Sequence, residues 1–195
     1  MIFNPITHPL AYQANIFAAA AHAAVDQKRK YTTEPYIVHP RSVAQILRNY
    51  GYDDDLMYAA ALLHDVIEDT GVTTDVLHRE FHFQPFRKAL VNIVDDLTNL
   101  PQEFGNRKTR KAEDRKRLSA ASPAAQTIKC ADILDNITGI SDRDPEFGLV
   151  YAQEALDTLA VLREADEKLR ERAREVAAIE LEKCQFKKAL PLKRA

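Results

Sequence analysis

Four ionisable side chains, His64, Asp65, Glu68 and Asp69, fall within six positions at the end of the apolar run Ala59-Ala-Ala-Leu-Leu. Burying uncompensated charge is costly, so acids in such a place either escape to solvent or hold a cation. An adjacent His and Asp offer a neutral nitrogen and an anionic oxygen, and the acids three and four positions on project from roughly the same helical face. That layout suits a metal ion with an acid beside it. Two further ligands are at hand. His39, in Tyr36-Ile-Val-His-Pro40, is expected at the last position before a Pro-started helix, and Asp132 is an acid embedded in the apolar helix Ile128-Lys-Cys-Ala-Asp-Ile-Leu-Asp-Asn136. Two imidazoles and two carboxylates would neutralise a divalent ion and leave positions for water or substrate. The mixed nitrogen and oxygen set suits manganese, iron or zinc better than calcium, and residue types alone do not choose among them.

The elements that must position these residues read as helices throughout. Only 5 of 195 residues are glycine, Ala, Leu, Glu, Lys and Arg abound, and no period-two alternation is sustained; an all-α fold of about eight to ten helices follows. Helices are predicted at 10–28, 40–50, 54–67, 73–82, 85–98, 108–121, 123–140, 145–163 and 166–187. Pro40, Pro85, Pro123 and Pro145 each suit a first helical position, where the missing amide proton is no loss. Leu149, Ala152, Leu156 and Leu159 give the eighth helix one apolar face. The length fits a single domain with its core in residues 10–163, followed by a charged helix and tail over 164–195. That last helix reads as mostly solvated, with an oligomer contact as the lesser reading. Two polar stretches, 29–36 and the basic 99–111, read as loops.

With 27 basic and 29 acidic residues the chain carries no charge bias toward nucleic acid or a membrane surface. Cys130 and Cys184 lie far apart without a Cys-x-x-Cys pattern and read as free thiols of a reducing compartment. Neither a signal peptide nor a membrane span is discernible, so a cytoplasmic location is expected.

The ordered set Arg29-Lys30, Pro35-Tyr-Ile-Val-His-Pro40, Ala60-Ala-Leu-Leu-His-Asp-Val-Ile-Glu-Asp-Thr70 and Lys129-Cys-Ala-Asp-Ile-Leu-Asp-Asn136 closely resembles the hydrolase domain of RelA/SpoT enzymes. Those enzymes belong to the HD superfamily. The resemblance covers roughly residues 10–163, the short chain looks like a stand-alone small alarmone hydrolase, and no room is expected for a synthetase domain. It implies an all-helical HD domain binding one Mn2+ through His39, His64, Asp65 and Asp132, with zinc or iron as alternatives. The implied reaction removes pyrophosphate from the ribose 3′ position of (p)ppGpp-type alarmones, with Glu68 and Asp69 as the catalytic acid pair. Arg29 matches an arginine that stacks on the purine, Lys30 beside it is suited to phosphate, Asn136 matches an asparagine near the nucleoside, and Tyr151 a tyrosine lining the pocket. The basic groups Arg107 to Lys111 and Arg115 to Arg117 offer charge to the diphosphate arms.

Departures from the pattern bear on specificity. A basic residue and Leu usually follow the fourth ligand, with His or Tyr before the asparagine; here Ile133, Leu134 and Asp135 stand there. A lost positive and a gained negative charge make the adenosine alarmone (p)ppApp a substrate to test beside (p)ppGpp. The alternative function is an HD-type phosphohydrolase of another nucleotide, such as NADPH or a nucleoside monophosphate; a non-catalytic alarmone-binding domain is the third class. His22 reads as a structural hydrogen-bonding residue, and His8, His78 and His82 as solvated or locally bonded.

Overall fold

Alanines let the first and third helices approach closely. In the computed structural model, which describes residues 4–189, α1 (Pro9–Ala24) buries Ala11, Ala14 and Ala18, α3 (Asp55–Leu63) buries Ala59, Ala60 and Ala61, and the two helices pack together. The Asp55 carboxylate accepts from the Leu10 and Ala11 amides and so caps the N-terminus of α1 from a neighbouring helix. The remaining helices follow in chain order: α2 (Val38–Asn49), α4 (Val66–Thr70), α5 (Thr74–Glu80), α6 (Arg87–Leu97), α7 (Arg107–Ala120), α8 (Pro123–Ile137), α9 (Ile140–Arg143), α10 (Pro145–Leu159) and α11 (Glu167–Ala189). No strand occurs among the described residues, only an isolated bridge between Lys28 and Pro35. None of these helices is long and apolar enough to cross a membrane.

Side-chain caps fix several starts. Asp54, Thr73, Asn106, Ser122 and Asp144 accept from the amide three residues on, and Pro123 and Pro145 occupy first-turn positions as expected. Pro85 instead lies before α6, in the turn between α5 and α6. The segment expected as one helix over 54–67 is interrupted: the ladder of α3 stops at Leu63, His64 and Asp65 form a turn, and α4 ends on Gly71 in the left-handed conformation. The break has a local cause, because the Ala61 carbonyl accepts from His64 Nδ1 at 2.7 Å. The first helix ends at Ala24 rather than 28. Residues 25–37 form an ordered loop held by Arg29 N to Glu34 O and Tyr36 N to Gln27 O. The basic stretch from Arg107 is the start of α7, not loop.

The final helix also differs from a solvated rod. α11 buries Leu169, Ala173, Ala177, Glu180 and Cys184 against α8, α9 and α10, while its charged residues cover the outer side. Small residues at helical spacing carry this face, which is why charge content hid it. Gly148 of α10 marks a close approach: a Cβ there would lie 2.6 Å from Cys184 Sγ. Both cysteines are free and buried.

Candidate functional site

Three elements bring the proposed ligands together. α2 supplies His39, the turn between α3 and α4 supplies His64 and Asp65, and α8 supplies Asp132. His39 lies within the first turn of α2 rather than before it, with Pro40 following; first-turn amides have no helical acceptor, so proline is tolerated there. His39, His64 and Asp65 present three donor atoms within 4.8 Å of one another. Asp132 Oδ1 joins them at 3.1 Å from His39 Nε2 and 3.7 Å from His64 Nε2, while Asp65 Oδ2 lies 3.5 and 3.0 Å from the same two nitrogens.

The imidazoles are committed on one nitrogen and open on the other. His64 Nδ1 donates to the Ala61 carbonyl and His39 Nδ1 to Asp135 Oδ2, each at 2.7 Å. Both Nε2 atoms are buried without a hydrogen-bond partner. Outer-shell hydrogen bonds of this kind fix the tautomer that presents an Nε2 lone pair to a metal. Burial opposes charge on these rings, yet Asp65 and Asp132 raise the proton affinity of His64, and Asp132 and Asp135 that of His39. Burial likewise works to raise the two carboxyls, but His64 holds Asp65, and Lys129 with the imidazoles holds Asp132, well below the usual carboxylate range. The pocket is built to receive positive charge at Nε2, and the donor set fits a divalent cation.

Neighbours hold the carboxylates in place. Tyr36 Oη donates to Asp65 Oδ2 at 2.6 Å. Lys129 Nζ takes Asp132 Oδ2 at 2.7 Å and Asn136 Nδ2 donates to Oδ1 at 2.7 Å. Asn136 Oδ1 in turn accepts from Arg29, whose other terminal nitrogen reaches Asp135 Oδ2 at 3.1 Å.

The two acids of the Glu-Asp pair diverge. Asp69 lines a cavity of about 380 Å³ together with Gln27, Arg29, Lys30, Tyr36, Asn136 and Tyr151. Gln27 Nε2 donates to Asp69 Oδ2 at 2.9 Å, and Gln27 Oε1 accepts from Nδ1 of buried His22, whose Nε2 is without a hydrogen-bond partner. Burial and the nearby Asp65 carboxylate push the Asp69 carboxyl up to about 6. Glu68 turns to the other side, where its Oε2 accepts from the Asn99 amide and side chain. Lys111 Nζ donates to Asn99 as well.

Lys28, Arg29, Lys30 and Arg143 line the same cavity, with Phe147 stacked on Tyr151 at 5.8 Å between ring centroids. Lys30 Nζ sits 4.8 Å above the Phe147 ring. The basic residues of α7 are mostly engaged elsewhere: Arg107 pairs with Glu154, Lys116 with Glu113, and Arg117 with the Asp95 and Thr98 carbonyls. Asp135 is absent from the cavity wall and stands behind Arg29, so its charge does not face a base directly. His82 is locally bonded, to the Arg79 carbonyl, whereas His8 reaches across the fold, its Nε2 lying 2.8 Å from Asp53 Oδ1.

Sequence reasoning missed Gln27, Tyr36, Lys129 and the placement of Asp135. Lys129 and Asp135 lie three positions either side of Asp132 on one helix, a spacing that could have exposed both; nothing local singles out Gln27.

The HD-domain family model matches residues 14–177. The chain belongs to the HD-domain family. Human guanosine-3′,5′-bis(diphosphate) 3′-pyrophosphohydrolase MESH1 is 37% identical over 140 residues, 69% of this chain and 71% of the human protein. A probable guanosine-3′,5′-bis(diphosphate) 3′-pyrophosphohydrolase of Synechocystis is 33% identical over 159 residues, and the match covers 80% of this chain but only 20% of that longer protein. A probable GTP pyrophosphokinase of Mycobacterium leprae is likewise matched over 21% of its length. Among solved structures, a metazoan SpoT orthologue described as hydrolysing ppGpp superposes with a TM-score of 0.68 at 24% identity, over 93% of this chain and 97% of the other, which shows the shared HD fold.

Proposed function

We propose that this HD-domain chain is a metal-dependent 3′-pyrophosphohydrolase of guanosine or adenosine alarmones, freeing pyrophosphate and leaving the nucleoside 5′-di- or triphosphate. One observation carries the reading: two buried imidazoles with uncommitted Nε2 atoms converge on two carboxylates beside a cleft walled by cations and aromatic rings. The 3′-pyrophosphohydrolase activity of the mouse and human MESH1 relatives supports it. His39, His64, Asp65 and Asp132 would hold the ion, and a borderline ion such as Mn2+ suits two nitrogens and two carboxylates. When bound, it would supply Lewis acidity toward the phosphoryl group and an activated water.

The chain's own residues supply the rest. Asp69 faces the cleft with a raised proton affinity, as a base working near neutrality requires. As water adds to the phosphorus bonded to the ribose 3′ oxygen, Asp69 accepts the water proton. The phosphorus–3′-oxygen bond breaks, and a proton returns to that oxygen. Gln27 orients Asp69, and Tyr36 holds Asp65. Glu68, tied to Asn99, shapes the segment beside Asp69 and adds to the local negative field. Arg29 is bonded in its plane by Asp135 and Asn136, which leaves a guanidinium face for stacking on a purine. Lys30 meets phosphate from the rim, and Tyr151 and Asn136 bound the nucleoside.

Purified protein with Mn2+ should convert ppGpp or ppApp to the nucleoside 5′-diphosphate and pyrophosphate, with products resolved chromatographically. Release of orthophosphate instead would point to phosphomonoesterase chemistry, and absence of turnover with tight alarmone binding to a binding domain.

A further inference from the structure

Asp135 stands where the resembled pattern has His or Tyr, and both oxygens of its carboxylate are engaged. Oδ2 accepts both from His39 Nδ1 at 2.7 Å and from Arg29 at 3.1 Å, and Oδ1 accepts from Ser42 Oγ. The side chain is 16% exposed. No other side chain described touches both the proposed metal cluster through a ligand's second nitrogen and the arginine of the cleft. His64 provides the contrast, because its Nδ1 donates to a backbone carbonyl that no substitution removes.

Building on the metal-dependent reading above, we propose that Asp135 is a positioning residue that at once orients His39 as a metal ligand and anchors Arg29 as the base-stacking wall of the cleft. An anionic acceptor on Nδ1 raises the electron density offered at Nε2 and holds the ring in one orientation. The same oxygen attracts the Arg29 guanidinium, whose Nη1 donates to Asn136 Oδ1, so the plane of Arg29 is set by two acceptors from consecutive residues of α8. Neither effect requires Asp135 to touch substrate. The negative charge added at this position therefore acts on purine binding through Arg29, not on the base itself.

The test is Asp135→Asn, which keeps the volume and removes the charge. Mn2+ affinity is measured by titration with free Mn2+ read by electron paramagnetic resonance, and KM and kcat are measured at saturating Mn2+. The expected result is Mn2+ affinity weakened about 10- to 100-fold, a raised KM for the alarmone, and a kcat at saturation close to wild type. In an Arg29→Ala background the KM effect of Asp135→Asn should vanish while its metal effect persists. Should Asp135→Asn fail to fold, Ser42→Ala, which loosens only Oδ1, should weaken Mn2+ binding in the same direction. Wild-type Mn2+ binding with unchanged affinity in the foldable variant would overturn the inference alone. A wild-type chain that binds no Mn2+ would overturn the functional reading and this inference with it.

Discussion

The inner and outer ends of the cleft are built on opposite principles. Inside, His39, His64 and Asp132 are almost wholly buried, and each oxygen or Nδ1 around them has a named partner. Outside, Lys28, Lys30 and Arg143 stand at the surface and make contacts that solvent can replace. Charge is strong where water is excluded and weak where it is not. The inner end is therefore suited to fixing one ion in one geometry, and the rim to accepting a polyanion whose arms differ in length. Substitutions inside should act on metal content and rate, and substitutions at the rim on KM.

The largest expected effect comes from the inner end. Asp132→Ala or His64→Ala should abolish both turnover and bound Mn2+, read by kinetics and metal analysis; an Asp132→Ala chain with unaltered metal content would break the contrast. Next, Asp69→Asn should keep its metal and lose about 10²- to 10⁴-fold in kcat. Glu68→Ala should also keep metal and lose rate, by a smaller factor, because its carboxylate is bound to Asn99. An equal loss in both variants would mean the two acids act as one unit.

The pH profile sharpens the same point. A base with its carboxyl pushed up to about 6 is protonated and idle below that value, so kcat should fall as pH drops through about 6. A bound cation offsets the Asp65 charge and would move the limb downward, never upward. Residual activity of Asp69→Asn should lack this limb.

Smaller effects belong to the rim. Arg29→Ala should raise KM on the order of tenfold, about 1–2 kcal/mol of lost stacking, with metal affinity hardly changed. Lys30→Ala should do less, since its ammonium is solvated and shared with Asp144.

The same division explains what could be read from residues alone. His64, Asp65, His39 and Asp132 are conspicuous because ionisable groups among apolar neighbours need a reason, and the structure gathers all four. The helix break that aims two of them was not visible, since it depends on a side chain capturing the Ala61 carbonyl. Gln27 and Tyr36 belong to an ordered loop whose shape is set by long-range pairing, and polar loops look alike in sequence. Most helical segments were legible from period and punctuation, but the expected 54–67 helix divides into α3 and α4, and the expected 123–140 helix stops at Ile137, where Gly139 in the left-handed conformation separates it from α9. The buried face of α11 was not, because Ala173, Ala177 and Cys184 carry little hydrophobic signal among so many charges.

Gly148 ties that terminal helix to function. Phe147 and Tyr151 sit on the same helix as the glycine, so the aromatic wall of the cleft is clamped from behind by Cys184. Gly148→Ala would force an extra methyl into this seam at about 1–3 kcal/mol of stability, measurable as a lowered melting temperature. A version trimmed after Arg163 would lose the clamp behind Phe147 and Tyr151 entirely. The packing behind the cleft thus draws on the chain as far as Cys184, and thiol labelling at that residue would report when the seam opens.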